Sequence, residues 1–233
     1  LPPDQDFMTE VYSPRLKLDF VAPPTVGVSA GGVYGSGVTG GVGFFFSDML
    51  GNHNLTLVAQ ANGTFKDIGA QVGYLNRKNR INWGGFAGHT PIVYGSSQYG
   101  QPQIDSQTGL PSQVINQYKY RIYIDNLEGI ASYPFTATRR IETSAGFTRY
   151  GFDYEVDKFY YSTLGVRRVR TDLNSQEPDA VYFAKAGVAL VSDYSFFGFT
   201  SPIRGGRSRL EVSPFVGSQT YLRVQADYRK YVQ

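Results

Sequence analysis

The chain has 233 residues, of which 41% are hydrophobic and 18% charged, and its formal net charge is +3. It has no Cys, which excludes disulfides and thiolate chemistry, and its scattered basic residues argue against a nucleic-acid partner. No apolar run approaches the roughly 18 residues that a membrane helix needs, so this chain can cross a membrane only as a closed β-barrel.

The first part of the chain predicts a tail and one interrupted strand. Residues 1–13 are polar and resemble a tail or linker, and the alternation in 14–21 predicts a short strand that ends before Pro23 and Pro24. The glycine-rich stretch 27–43 lacks the Lys-Ser/Thr ending of a phosphate loop. Its glycines are therefore interpreted as positions where strands pack closely.

The clearest strand of the sequence is predicted over 53–63. Asn62-Gly63 then signals a tight turn, and the chain returns as a strand over 65–76. A further strand is predicted over 79–91, followed by a long loop over 92–114. The 53–63 strand places apolar residues on one face, namely Leu55, Leu57, Ala59 and Ala61. Its other face carries the polar residues Thr56, Gln60 and Asn62.

The second half of the chain predicts longer strands. Strands over 115–133 and 137–155 are joined by a turn at Tyr133-Pro134-Phe135, and a charged loop is predicted over 156–178. The last three strands are predicted over 179–196, 204–217 and 219–232. The sequence thus predicts about ten or eleven strands, and it shows no sustained helical pattern.

Alternation alone does not separate a membrane barrel from a soluble sandwich or barrel. The charged fraction, 18%, lies below the usual value of about 25%. Aromatic residues mark the ends of the predicted apolar faces, as in interfacial girdles: Tyr74, Trp83, Tyr118, Phe147, Phe215 and Tyr228. We therefore predict an all-β fold, an antiparallel transmembrane β-barrel of about 10–12 strands, formed by a single domain over 14–233.

Residues suited to catalysis are scarce. His53 and His89 show no metal-ligand spacing and are interpreted as a turn residue and a strand-end residue. Asp153, Glu155 and Asp157 offer three carboxylates for a cation or for acid–base work, but a solvated strand end is the favoured interpretation. The sequence thus predicts no catalytic residue, no metal, no cofactor and no enzymatic activity.

A group of charged residues is predicted to point inward from consecutive strands. These residues are Arg209, Glu211, Arg223, Asp227 and Arg229. They are candidates for lining a hydrated lumen and guiding a polar solute. The alternative, a structural ion-pair network that fills the barrel interior, is favoured.

Three segments carry a resemblance to a known family. The run 47–52 with the strand end 61–64 resembles the opening hairpins of outer-membrane assembly-factor barrels, the BamA-type proteins or bacterial surface antigens. Residues 129–152 resemble the middle hairpin of that family, and 193–217 resemble its next one. Together the similar segments cover roughly 24–232 in the family order.

The resemblance implies a fold, a location and a role. Because the family barrel is similar to a sixteen-stranded cylinder, the chain is expected to be the N-terminal portion of a larger barrel, or a fragment that closes as a smaller barrel. Arg204-Gly205 lacks the aromatic residue of the family's lumen loop and is not equated with it. The implied role is non-catalytic membrane-protein assembly or secretion in the bacterial outer membrane. The implied partners are the lipid bilayer and outer-membrane protein substrates or another copy of the chain.

Two other functions remain open at this point. A passive outer-membrane pore would use the inward charges to tune solute passage. A soluble ligand-binding β-barrel would require the apolar faces to point inward.

Overall fold

The computed structural model describes residues 12–29, 37–199 and 201–232, so most of the predicted tail 1–13 lies outside the described residues. Two short 3-10 turns, Phe65–Asp67 and Asn174–Gln176, accompany the strands. The strands are β1 Lys17–Val21, β2 Thr25–Ser29, β3 Gly37–Ser47, β4 His53–Asn62, β5 Ile68–Asn76, β6 Asn82–Tyr99, β7 Gln103–Ile104, β8 Pro111–Pro134, β9 Arg139–Ser162, β10 Gly165–Asp172, β11 Val181–Asp193, β12 Phe196–Phe197, β13 Pro202–Gly217 and β14 Tyr221–Tyr231.

All fourteen described strands belong to one antiparallel sheet in which the long strands follow one another in chain order. Short strands share positions in this sheet. β1 and β2 lie end to end along β3, β10 and β11 lie along β9, and β7 and β12 extend the positions of β6 and β11. The sheet is therefore ten strands wide, which confirms the all-β, antiparallel part of the prediction.

The sheet does not close into the predicted barrel. Among the described residues, no backbone pairing joins β14 to β1 or β2, so both edges of the sheet are open. One edge strand is interrupted by Pro23 and Pro24, which separate β1 from β2. Proline has no N–H to donate, and it is one of the residues that block pairing at a sheet edge.

Two segments that the sequence predicts as loops contain strands. In 92–114, β6 continues to Tyr99 and β8 begins at Pro111, and in 156–178, β9 continues to Ser162 and turns into β10. Pro91 lies inside β6 just beyond His89, the last β6 residue that pairs with β5. Its missing N–H therefore costs no bond on that side, and proline is tolerated there.

We call the end of the sheet where β4, β6, β9 and β13 begin the basal end, and the opposite end the distal end. Over the half next to the basal end, the two faces of the sheet differ chemically. Because paired residues point to the same side of a sheet, the register assigns each side chain to a face.

We call one side of the basal half the apolar face. Its residues form a continuous band across the strands: Phe44, Phe46, Leu55, Leu57, Ala59, Ala61, Ala70, Val72, Tyr74, Trp83, Ala87, Leu127, Ala131, Tyr133, Ile141, Ala145, Phe147, Ala184, Ala186, Val188, Leu190, Leu210, Val212, Val216, Leu222, Val224, Ala226 and Tyr228. Two of the predicted girdle residues, Tyr118 and Phe215, point to the other side instead.

We call the other side of the basal half the polar face. It carries mainly amides, hydroxyls, glycines and paired charges, including Asn54, Thr56, Gln60, Gln71, Asn126, Glu128, Ser132, Glu142, Ser144, Lys185, Arg209, Glu211, Ser213, Arg223, Gln225 and Asp227. Phe86 lies flat here against Gly73 and Gly88, where a Cβ at Gly88 would be 3.0 Å from the Phe86 ring. The Phe86 ring thus occupies space that a side chain at Gly88 would need.

A conventional apolar core is absent from the described residues. The buried hydrophobic residues are only Val93, Val114, Val156, Ala189 and Val191, whereas large apolar side chains on the apolar face are mostly exposed by 40% to 70%. Among the described residues, the sheet therefore has no second layer against which its apolar band is buried.

Gly205 provides a test of the fold at the start of β13. Its φ is +101°, and a Cβ there would lie 2.2 Å from the Tyr194 carbonyl oxygen. We expect Gly205→Ala to lower the free energy of unfolding by at least about 2 kcal/mol, measured by urea denaturation in detergent micelles. Gly73→Ala is the control, because its Cβ would make an ordinary 3.8 Å contact with Phe86. Equal stability of the two variants would show that the backbone at Gly205 is not constrained in this way.

Candidate functional site

The five charged residues predicted to line a lumen lie together on the polar face of β13 and β14. Arg209 is paired in register with Asp227, Glu211 with Gln225, and Arg223 with Ser213. Arg229 follows on the same face, opposite Arg207. Strand alternation brings them together because they occupy every second position of two neighbouring strands.

Glu211 is the centre of this group. Its carboxylate accepts hydrogen bonds from Arg209 Nη2 at 2.7 Å, Arg223 Nη2 at 3.0 Å and Ser213 Oγ at 2.8 Å. Asp227 pairs instead with Arg229, at 2.9 Å, nearer the basal end. The five residues therefore form two separate ion-pair groups.

The network extends to residues that the sequence did not single out as site residues. Arg209 also pairs with Glu142 on β9, and Glu142 accepts a bond from Arg140 at 2.6 Å. Lys185 on β11 pairs with Glu128 on β8 at 2.8 Å. Alternation already places Glu142 on this face, but only the order of the strands shows that it meets Arg209.

Small residues on β11 make the ion pair between Arg209 and Glu142 possible. β11 lies between β9 and β13, and its polar-face residues next to the network are Gly187 and Ala189. A Cβ at Gly187 would lie 2.8 Å from Ser144 Oγ and 3.0 Å from Ser213 Oγ. The Arg209 side chain can therefore reach across β11 to Glu142 without a large side chain in its path.

These residues surround an open cavity of about 400 Å³. Its charged lining consists of three acids, Glu128, Glu142 and Glu211, and three bases, Lys185, Arg209 and Arg223. Each of these charges has an oppositely charged partner. The cavity is thus polar but close to neutral, and it offers water or a small polar solute hydrogen bonds rather than a field of one sign.

A second network, which we call the distal charge cluster, surrounds Asp153, Glu155 and Asp157. These residues alternate along β9, so they share one side of the strand, and Glu155 and Asp157 are fully buried. Lys119 Nζ contacts Asp157 at 2.8 Å, and Arg121 Nη1 contacts Glu155 at 2.9 Å. The interpretation of these carboxylates as a solvated strand end is therefore wrong.

Two other segments complete the distal charge cluster. From the 3-10 turn, Asp67 pairs with Arg121 at 2.7 Å and Lys66 with Asp153 at 3.0 Å. From β10, Arg168 and Arg170 both pair with Asp157. The buried charges are therefore covered by longer side chains whose ends remain partly exposed, a common arrangement for Lys and Arg.

The distal charge cluster keeps its acids ionised. Burial alone would raise the pKa of Asp157, but hydrogen bonds from Arg168 and Lys119 lower it to about 2. The pKa of Glu155 is likewise lowered, because contact with Arg121 outweighs the effect of burial. Carboxylates this firmly ionised at neutral pH are unsuited to donating protons, so the cluster is suited to structure rather than acid–base chemistry.

The two histidines lie in different settings. His53 begins β4 beside the basal turn, and its Nδ1 lies 2.7 Å from Tyr74 Oη. His89 lies within β6 rather than at a strand end, which corrects the prediction, and its Nδ1 lies 2.6 Å from Asp125 Oδ1. Within the described ranges, no group of three or more His, Asp or Glu side chains is arranged to hold a metal ion.

Comparisons with known proteins give no relative. No family model, no curated protein and no solved structure matches the chain. In the part of the chain that the structure describes, no helix has the length and apolarity needed to cross a membrane. What the fold and the site define is a class: a ten-strand-wide antiparallel sheet with one apolar and one polar face.

Asp157→Asn tests the distal charge cluster. At pH 7 we expect a loss of about 3 kcal/mol in the free energy of unfolding, because Lys119 loses a buried partner. The ionised Asp157 stabilises the fold above its unfolded pKa, near 4, and this contribution is lost as the pH falls towards about 2. The difference in the free energy of unfolding between the wild type and Asp157→Asn, measured by urea titration, should therefore decrease from pH 4 to pH 2.

Lys158→Gln is the matched control for this prediction. Lys158 is the next residue, points to the other side of β9, and has no ion pair among the described residues. A gap between wild type and Asp157→Asn that stays constant down to pH 2 would contradict the assigned role of Asp157.

Proposed function

We propose that the chain forms part of the wall of a transmembrane β-barrel in the bacterial outer membrane, with the apolar face towards lipid. The observation that carries this proposal is the continuous apolar band across the sheet, opposite a polar face. Membrane barrels alternate apolar residues towards lipid with polar residues towards the interior. The band spans about four alternate positions on each long strand, as in Leu55 to Ala61 on β4.

The exposure of the apolar face counts against a soluble protein. Side chains such as Leu127, Leu222 and Tyr228 are exposed by 60% to 70% and point to one side. Soluble monomers rarely expose contiguous apolar patches above a few hundred Å², and each Å² kept in water forgoes about 25 cal/mol. Lipid removes this cost without requiring a second layer of protein.

The open edges support a role in which the sheet pairs with other strands. Inside a bilayer, each unpaired N–H or C=O costs several kcal/mol, so β14 and the β1–β2 edge require partners. Further strands, a second copy of the chain or a client protein would each satisfy them. We propose the non-catalytic role that the resemblance to surface-antigen barrels implies: assembly or secretion of proteins at the outer membrane.

The polar face also suits a passive pore, which is the second candidate. The cavity near Glu211 is lined by hydrogen-bonding groups. Its charges are nevertheless mutually paired, so they offer a passing ion no uncompensated charge. Conductance in planar bilayers distinguishes the two roles, because a steady open current would favour the pore.

Substitutions on β4 test which face meets lipid. Leu57→Arg and Ala59→Arg place a charge on the apolar face, and we expect each to cost about 2–4 kcal/mol of insertion free energy. Gln60→Arg is the control, because Gln60 lies on the polar face of the same strand. The measurement is the fraction of protein protected from protease after refolding into phosphatidylcholine vesicles. Equal insertion of all three variants would overturn the assignment of the faces.

A further inference from the structure

The basal end of the sheet carries a row of exposed cations. We call Arg77, Lys78, Arg80, Arg139, Arg204 and Lys230 the basic rim. They come from the β5–β6 turn and from the basal ends of β9, β13 and β14. Among the described residues, none of the six lies within salt-bridge distance of a carboxylate.

Several cations elsewhere in the sheet have carboxylate partners. Lys119 and Arg121 at the distal end, and Arg209 on the polar face, are each held by at least two carboxylates. The six cations of the basic rim have no such carboxylate partners among the described residues, so their charge is available to an external anion. Lys158 at the distal end is also unpaired, but it stands alone there, whereas the rim brings six cations to one border.

The basic rim borders the aromatic end of the apolar face. Arg80 lies over the Tyr133 ring, 4.6 Å from its centroid, and its Nε donates to the Pro134 carbonyl at 3.2 Å. Trp83 is 48% exposed and packs edge-on against Tyr74, with ring centroids 5.6 Å apart. Such rings mark the boundary between the hydrocarbon and the headgroups, so the cations lie at the level of lipid phosphates.

We propose that the basic rim binds the phosphate groups of anionic phospholipids in the leaflet next to the basal turns. This inference rests on the proposed membrane function. The cations follow the sheet border from β6 to β14, five strand spacings or roughly 24 Å, and each lies in a basal turn or near the basal end of its strand. A row in the plane of a membrane surface fits a layer of headgroups better than a single compact partner. Each basic residue near an anionic surface favours binding roughly fivefold.

Trp83 provides a local reporter, because it is the single Trp of the chain and lies at this border. The protein is reconstituted in vesicles of phosphatidylcholine and phosphatidylglycerol at 7:3, with bromine on either the anionic lipid or an equal amount of the neutral one. We expect brominated phosphatidylglycerol to quench the fluorescence of Trp83 more strongly than brominated phosphatidylcholine does, corresponding to a preference for the anionic lipid of about threefold or more. Addition of 0.5 M NaCl should reduce this preference. Equal quenching by both lipids would overturn the proposal.

Variants assign the preference to the rim. Arg77→Gln/Lys78→Gln/Arg139→Gln removes three side chains that make no hydrogen bond among the described residues. The lipid preference should fall clearly below that of the wild type, because only Arg80, Arg204 and Lys230 of the rim remain. Arg77→Lys/Arg139→Lys keeps the charges and should keep the preference, as should Lys158→Gln at the distal end. Full preference in the triple Gln variant would overturn the proposal. Absence of quenching by either lipid would instead refute the proposed membrane function.

Discussion

The pairing of β8 with β9 is the interaction on which the other features of the sheet depend. These two 24-residue strands stay in one register from Gln113–Tyr161 to Pro134–Arg140. A slip of one residue would move every side chain of one strand to the opposite face. The apolar band, the polar network and the distal charge cluster all include residues of this hairpin, so a single register fixes all three.

Along this hairpin, one side of the sheet changes from apolar at the basal end to charged at the distal end. On one side of β8, Leu127 and Ala131 belong to the apolar face, whereas Lys119 and Arg121, which point to the same side, belong to the distal charge cluster. The change occurs at the paired residues Asp125 and Arg149, which form an ion pair at 2.8 Å. The charges on the distal side of this pair are covered by side chains from the 3-10 turn Phe65–Asp67 and from the neighbouring strand β10.

Sequence alternation predicted much of this arrangement, since faces follow from a period of two. It places Leu57 and Gln60 on opposite sides correctly, and the five charges on β13 and β14 on one side. The length of β6 and the presence of β10 were not predictable from composition, because Ser, Gln and Pro also suit a strand that pairs on one side only. The burial of Asp157 depends on Lys119 and Arg168, and only the tertiary pairing of three strands brings them together. The predicted closure into a barrel was not found. Alternation is a property of single strands, whereas closure requires the two edge strands of the sheet to pair with each other.

The two edges of the sheet differ in what they offer a new strand. β14 presents eleven consecutive residues, Tyr221–Tyr231, without a proline, whereas the opposite border is divided into two five-residue pieces by Pro23 and Pro24. A strand that docks on β14 can form an unbroken hydrogen-bond ladder, and one that docks on the other side cannot. Extension of the sheet therefore has a preferred direction, which proceeds from the C-terminal strand outward.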